Sequence, residues 1–340
     1  MNVLKGMARV TLFGSRNDGS GVSFEPSRDI PSLAGKIILI TGAAGDLGRQ
    51  TTIELARYGK PARIYIADLP LDEDGKKELL NRIDREVHDG SAFNEEQDTT
   101  PTDLRYIDLD LTSFESVQKC AAEFIAQEER LDLLVLNAGI IRIMPGKTKE
   151  GYEIHFGLNY LGHSLLARLL TATMKRTAQQ PDADVRLVVV SSEGHAMAPK
   201  GGIQFEKLKT DCAKMSYSQR YGQSKIALIA FMREFGHRSP EIRTVAVHPG
   251  RIITGMAASL GKESRLARVT APIAPLLCVP VSVGIKNYLW AATSPNVISG
   301  KYYEPVGVPD KETSAAKDEE LSRKLWDWTE AELRGAGILE

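Results

Sequence analysis

The segment KIILITGAAGDLG, residues 36–48, joins a short apolar run to a glycine-rich turn, and the amphipathic stretch RQTTIELARYG follows at residues 49–59. A buried strand, a tight turn and a helix in this order form the first half of a βαβ unit. Glycines in such a turn let the backbone approach a ligand, and the N-terminus of the next helix offers unpaired N–H groups to an anion. The segment therefore predicts an α/β fold with an anion-binding turn after its first strand.

The same alternation of short apolar and longer amphipathic runs continues along the chain. Strands are predicted at residues 36–41, 63–68, 104–108, 131–137, 185–191, 242–248 and 300–304. Helices are predicted at residues 46–58, 75–87, 113–128, 149–174, 221–235, 282–292 and 315–333. Because parallel strands need crossovers between them, this order predicts one doubly wound α/β domain whose seven-stranded parallel sheet is flanked by helices.

Two segments depart from this alternation. Residues 1–30 are rich in Gly, Ser and Asp, so we expect an arm or a disordered tail ahead of one domain at residues 31–340. The acidic stretch at residues 69–103 lies between the second and third predicted strands, and we expect a solvated helix and loop there.

Charge and composition argue against several classes of protein. The chain has 43 Lys and Arg against 44 Asp and Glu, which supplies no field for attracting nucleic acid. The three cysteines lack metal-ligand spacing, and His155 and His163 have no third ligand near them in sequence. We find no export signal and no apolar run long enough to span a membrane. We therefore expect a cytoplasmic protein without a metal, a nucleic-acid partner or an integral membrane segment.

Asp68 ends the second predicted strand, twenty residues after Gly48. An acidic side chain at that place can accept hydrogen bonds from the adenosine ribose hydroxyls of a dinucleotide. The carboxylates at residues 72–74 would repel a 2′-phosphate, and Arg49 is the one local cation that could reverse this preference. The sequence thus predicts NAD as the cofactor, with NADP as the alternative.

Tyr221 and Lys225 are four residues apart in YGQSKIALIAFMREF, residues 221–235, and so lie on one face of a predicted helix. A tyrosine whose pKa is near 10 is a poor base at neutral pH, and an ammonium one turn away stabilises its phenolate. Of the ten tyrosines, only Tyr221 has a lysine at this spacing. Tyr221 is therefore the candidate proton-transfer residue.

Several motifs occur in one order along the chain: LAGKIILITGAAGDLG, DLDLTSFESV, LDLLVLNAGI, GYEIHFGLNYLGH, VVVSSEGH, YGQSK and VHPGRIITGM. Through them the chain resembles the short-chain dehydrogenase/reductase superfamily, and within it the retinol-dehydrogenase-like branch, over roughly residues 29–333. The resemblance implies a Rossmann-type fold and hydride transfer between a nicotinamide dinucleotide and an alcohol or carbonyl substrate.

The resemblance also implies roles for individual residues. Tyr221 would be the acid/base, Lys225 the ribose-binding cation that lowers the pKa of Tyr221, and Ser192 the hydroxyl that bonds the reacting oxygen. Asn159 would complete this set from a locally distorted helix. His195 follows the serine pair, and we expect it to line the substrate pocket with Ser192 and Tyr221.

The cofactor contacts that the resemblance implies follow the ends of the predicted strands. At the glycine turn they are Gly42, Gly45, Asp46, Leu47 and Gly48. Further along they are Asp68, Asp110 and Leu111, Asn137, Ala138 and Gly139, Tyr221 and Lys225, and Pro249, Gly250 and Thr254 at the nicotinamide.

One position departs from the branch pattern, because Asp46 stands where a glycine is usual. The resulting spacing, TGxxGxxG, is typical of nucleotide-sugar epimerases and dehydratases, so such an enzyme is an alternative. Asp46 could cap the next helix, but it would also bring a carboxylate close to the pyrophosphate and weaken binding. A catalytically silent, dinucleotide-binding regulatory protein is a further alternative.

The substrate is predicted from the segment that follows the nicotinamide loop. Residues 255–281 are mainly apolar with several prolines, and we expect them to fold over the pocket as a lid. This favours a small lipophilic alcohol or ketone of retinoid, steroid or polyketide type. The sequence leaves the oligomeric state open, a homo-oligomer included.

Overall fold

The computed structural model describes residues 21–89, 101–141, 144–252 and 279–338. Its strands are β1 (Ile37–Thr41), β2 (Arg63–Asp68), β3 (Asp103–Asp108), β4 (Leu133–Leu136), β5 (Arg186–Val190), β6 (Arg243–Val247) and β7 (Lys301–Tyr303). They form one sheet in the order β3-β2-β1-β4-β5-β6-β7, with every pair parallel. The predicted seven-stranded parallel sheet is confirmed.

Helices connect and cover the strands. They are α1 (Pro26–Asp29), α2 (Asp46–Glu54), α3 (Glu73–His88), α4 (Phe114–Gln127), α5 (His163–Ala178), α6 (Tyr217–Arg238), α7 (Val281–Thr293) and α8 (Glu319–Gly335). A π-helical turn, Leu55–Gly59, extends α2, and another, Phe156–Gly162, precedes α5. Short 3-10 turns occupy Glu193–Met197, Phe205–Lys207 and Ser314–Lys317.

The sheet separates two apolar layers, which explains why its strands are apolar on both faces. Successive residues of a strand point to opposite faces, so Leu39 lies in one layer and Ile40 in the other. Helices α4, α5, α6 and α8 cover the first face, while α2, α3 and α7 cover the second. The doubly wound arrangement leaves the carboxyl ends of the central strands open to a ligand.

The predicted starts of two helices are wrong, and both helices also run past their predicted ends, to Ala178 and Arg238. Residues 149–153 were expected to be helical, but Gly151 has a φ of 87° and Lys147 pairs with Glu153 in an isolated antiparallel bridge. Helix α6 begins before residue 221, because Ser216 and Gln219 form a reciprocal capping box at its start. In both places local turn and cap chemistry sets the boundary, and apolar periodicity does not report it.

Parts of the predicted segments lie outside the described residues, namely residues 1–20, residues 90–100 of the acidic stretch, and Thr254 with most of the predicted lid. Residues 21–30 lie against the domain and are not a free tail: Phe24 and Ile30 are buried in the second apolar layer, and the Val22 amide donates to the Val306 carbonyl at 2.8 Å. Among the described residues, no helix is long and apolar enough to cross a membrane.

Candidate active site

A cavity of about 950 Å³ lies at the carboxyl ends of the central strands. It brings together residues from distant parts of the chain that the sequence analysis selected. Those lining it are Gly42, Gly45, Asp46, Leu47, Gly48, Asp68, Asp110, Leu111, Asn137, Ala138, Gly139, Ser192, Tyr221, Lys225 and Pro249. Two further predicted residues lie beside this set. Gly250 follows Pro249 in the chain, and Asn159 is hydrogen-bonded to Ile140, which lines the cavity.

The glycine turn is packed too closely for side chains at two positions. Gly42 has a φ of 67°, and a Cβ there would lie 2.8 Å from the Cα of Ala138. A Cβ on Gly48 would lie 2.4 Å from the Gly42 carbonyl oxygen. The turn therefore brings the N-terminus of α2 directly against the end of β4. This forms a cradle of backbone N–H groups of the kind that holds a phosphate.

Asp46 does not cap α2, because Gly45 occupies the N-cap position and Asp46 is the first helical residue. Its exposed carboxylate sits in the first turn, where the positive end of the helix dipole stabilises a negative charge. Asp46 is among the residues that line the cavity at the glycine turn. A carboxylate in this turn would oppose the binding of an anionic ligand at the helix N-terminus.

Asp68 supports the turn from the end of β2. One of its carboxylate oxygens accepts the Ala44 amide at 2.8 Å, and the other accepts the Leu69 amide at 2.8 Å. Arg49, the cation that could favour a 2′-phosphate, donates instead to Glu86 on α3. Lys76 contacts Asp108 and Glu73, each at 3.2 Å. The local cations are thus neutralised by carboxylates, which leaves this end of the cavity acidic.

Tyr221 and Lys225 lie one turn apart on α6, as predicted, with the Lys225 Nζ 5.6 Å from the centre of the tyrosine ring. The phenol is hydrogen-bonded to Ser192, whose Oγ also accepts the Gly194 amide at 3.0 Å. Lys225 Nζ donates to the Val190 carbonyl at 3.0 Å. The three side chains predicted to act together therefore converge at one end of the cavity.

Asn159 is placed beside Lys225 by the π-helical turn before α5, which is the expected distorted helix. Its Oδ1 accepts the Ile140 amide at 2.8 Å, and its Nδ2 donates to the Ile140 carbonyl and to Ser224 Oγ. A Cβ on Gly139 would lie 3.3 Å from Asn159 Oδ1 and 3.5 Å from Lys225 Nζ. The amide and the ammonium thus flank the same backbone position.

Burial shifts the ionisation of both groups on α6. It raises the pKa of Tyr221 to about 12, against a smaller lowering by the Ser192 hydrogen bond, and lowers the pKa of Lys225 to about 8. Desolvation of the charged forms is the cause in both cases. Burial dominates, and the phenol is protonated at neutral pH. Lys225 is not among the causes of the shift, and the expectation that it lowers the pKa of Tyr221 stays a prediction.

His195 does not line the cavity formed by the described residues, contrary to prediction. Its imidazole is buried, with Nδ1 2.7 Å from the Ser192 carbonyl oxygen and Nε2 accepting the Thr313 amide at 3.1 Å. The side chain turns away from the cavity because these two backbone contacts hold the 3-10 turn after Ser192 against residue 313. His195 therefore supports the position of Ser192.

His163 links the glycine turn to the Asn159 segment, a role that its sequence position as a possible metal ligand does not indicate. Burial lowers its pKa to about 3, so the ring is neutral and carries one proton. Nδ1 lies 2.9 Å from the Asn159 carbonyl and so carries that proton, while Nε2 accepts the Thr41 hydroxyl at 2.8 Å. Thr41 Oγ in turn accepts the amides of Asn137 and Ala138, each at 3.0 Å. The signal in sequence was its position, one turn after Asn159.

Comparisons with known proteins agree with this arrangement. A family model described as short chain dehydrogenase matches residues 36–204, which include the glycine turn and Ser192 and end before Tyr221. An uncharacterized oxidoreductase of Schizosaccharomyces pombe is 35% identical over 305 residues, covering 87% of this chain and 85% of the relative. Human retinol dehydrogenase 14 is 33% identical over 310 residues, covering 88% and 86%.

A solved structure from Mycobacterium paratuberculosis superposes with a TM-score of 0.65 at 24% sequence identity, covering 91% of this chain and 97% of that one. At this identity the likeness concerns the fold alone. It agrees with the strand order and with the helices on both faces of the sheet.

Proposed function

Because the chain belongs to the short-chain dehydrogenase/reductase family, we propose that it interconverts a lipophilic alcohol and its ketone or aldehyde with NAD, using Tyr221 for proton transfer. As a member of this family it is an oxidoreductase. The observation that carries the finer proposal is the convergence of Tyr221, Ser192 and Lys225 at one end of a cavity whose other end holds the glycine turn and Asp68.

The residues present fit a nicotinamide dinucleotide. Gly42 and Gly48 let the glycine turn pack against the end of β4, and the N-terminus of α2 lines the cavity there, where its N–H groups can hold a pyrophosphate. Asp68 stands at the ribose position, and Lys225 stands near Tyr221 at the opposite end of the cavity. When bound, the dinucleotide supplies the hydride donor or acceptor.

The proton chemistry follows from the state of Tyr221. The phenol is protonated at neutral pH, so Tyr221 can donate a proton to the oxygen of a carbonyl substrate. Ser192, already bonded to the phenol, hydrogen-bonds the same oxygen, and the Lys225 ammonium stabilises the phenolate that remains. Oxidation of the alcohol runs the same steps in reverse.

The apolar wall of the cavity supports a lipophilic substrate. Ile140, Ile154 and Leu158 line it near Asn159, and Ile252 lines it beside Pro249. A sugar nucleotide would find few hydrogen-bond partners on these side chains. An epimerase or dehydratase is therefore the weaker alternative, although the glycine spacing resembles theirs.

The function is tested by following NADH oxidation with a panel of lipophilic ketones and aldehydes and NAD+ reduction with the matching alcohols. We expect turnover with members of the lipophilic panel. Activity only on nucleotide sugars would contradict the proposal in favour of an epimerase or dehydratase. Dinucleotide binding without turnover of any substrate would favour a regulatory protein.

Asp68→Ser should weaken NAD+ binding by about 10- to 100-fold and strengthen NADP+ binding, because it removes a charged acceptor worth about 1.5 to 3 kcal/mol and a repulsive carboxylate. Dissociation constants for both dinucleotides test this. Asp84→Ser is the matched control, since it removes the same charge at an exposed position of α3 that lies outside the cavity and away from residues 72–74. Equal weakening of both dinucleotides would instead indicate that the turn, which Asp68 holds through Ala44, had collapsed.

A further inference from the structure

Two polar side chains at the β6 end of the cavity have no hydrogen-bond partner among the described residues. Both ring nitrogens of His248 and the hydroxyl of Tyr288 are buried and unsatisfied. His248 is 3% exposed and Tyr288 1% exposed, and both line the cavity with Pro249. No role for either residue followed from the sequence.

Leaving such groups unpaired is costly, which points to a ligand. A buried polar group without a partner destabilises the fold, because it has lost its hydrogen bonds to water and gained none in return. Three unpaired polar atoms beside one cavity are unusual in a protein interior, where buried polar groups are nearly always bonded. A molecule in the cavity that carries polar groups at this end would satisfy them.

The ionisation of the two side chains indicates what kind of group they would bind. Burial lowers the pKa of His248 to about 4 against the opposing charge of Glu193, and it raises the pKa of Tyr288 well above its usual value. Both are uncharged at neutral pH. A neutral imidazole offers one donor and one acceptor, and a phenol can do either. A primary amide, which also donates and accepts, is their complement.

The backbone around the two residues is held in place. The His248 amide donates to the Tyr303 carbonyl at 3.1 Å. Asn287, next to Tyr288 on α7, donates to the carbonyls of His248 and Tyr303 at 2.9 and 3.0 Å. The Asn287 amide therefore ties α7 to the ends of β6 and β7, so both polar side chains stand on a rigid support.

The sheet order argues for a dinucleotide over a small substrate as the source of that amide. Asp68 ends β2 and His248 follows β6, and these strands are separated by β1, β4 and β5. Four strand spacings amount to about 19 Å. A ligand anchored at Asp68 must be extended to reach His248, as a dinucleotide is.

We propose that His248 and Tyr288 bind the carboxamide of the nicotinamide, fixing the ring beside Tyr221. The proposal rests on the dinucleotide function above. It adds two side chains to the backbone segment at Pro249 and Gly250 that the sequence analysis placed at the nicotinamide.

The test compares NAD+ with ADP-ribose, which has the adenosine, pyrophosphate and ribose but lacks the nicotinamide. Calorimetric dissociation constants are measured for the wild type, His248→Leu, Tyr288→Phe and the control Tyr58→Phe, at the far end of α2. We expect His248→Leu and Tyr288→Phe each to weaken NAD+ binding about 5- to 10-fold and to change ADP-ribose binding less than twofold. Tyr58→Phe should change neither.

A second measurement does not depend on the variants. In 15N-histidine NMR spectra of the wild type, NAD+ should shift the His248 imidazole signals and ADP-ribose should not. The proposal is overturned if the two variants bind NAD+ as tightly as the wild type does. It is also overturned if they lose affinity for NAD+ and ADP-ribose equally, or if they change only the KM of the carbonyl substrate. If ADP-ribose binds the wild type but NAD+ gains nothing from its nicotinamide, this inference fails and the dinucleotide site stands. If neither ligand binds the wild type, both proposals fail.

Discussion

Tyr221→Phe should lower the turnover number at least about 100-fold while NADH affinity stays within about twofold, because the substitution removes only the proton donor. The ring keeps its place: it packs edge-on against His155 with centroids 6.2 Å apart, and Gly194 leaves room for it. Steady-state turnover and direct titration with NADH measure the two quantities separately.

A matched variant on the same helix controls for this prediction. Tyr217→Phe removes a phenol at the first turn of α6, outside the residues lining the cavity, and should leave turnover within about twofold. Tyr221→Phe retaining most of the turnover would refute the assignment of Tyr221. If NADH affinity is lost together with turnover, the substitution has disturbed the dinucleotide site, and the loss of turnover cannot be assigned to the missing proton donor.

The sheet could be predicted from the sequence because its signals are local and strong. Each strand is a short apolar run bounded by polar or turn residues, and the predicted and observed strand limits differ by at most two residues. The strand order could not be read from apolar runs, since the pairing of β1 with β4 depends on contacts about 95 residues apart. The helix boundary errors arose where one glycine or one cap outweighs periodicity.

The site was partly predictable for a different reason. Tyr221, Ser192, Lys225 and most cofactor contacts occur in motifs whose order along the chain is specific, and the structure brings them to one cavity. His163 and His248 were missed because their importance depends on which atoms they face across the sheet. No spacing in the sequence reports that a buried imidazole bonds Thr41 or lacks a partner.

Lys225 shows how a site residue can work against the stability of the fold. Burial lowers its pKa from 10.5 to about 8, so keeping the ammonium charged at neutral pH costs about 3 kcal/mol. This penalty is complete below pH 8, where the folded protein holds the proton. It disappears as the pH rises towards 10.5, because the unfolded chain then binds more protons than the folded one.

Lys225→Met should therefore lower turnover by about 100-fold or more and yet stabilise the protein at pH 7. Methionine fills a similar volume, and the lost hydrogen bond to the Val190 carbonyl offsets part of the gain, leaving about 1 to 2 kcal/mol. Urea unfolding at pH 7 and pH 10 measures the gain in the free energy of unfolding, which should shrink at the higher pH.

Lys77→Met, at an exposed position of α3, is the control and should show no such pH-dependent gain. Two results would contradict the idea that burial of the ammonium destabilises the fold. One is a Lys225→Met protein that is less stable than the wild type at pH 7, and the other is a gain in the free energy of unfolding that is the same at pH 7 and pH 10.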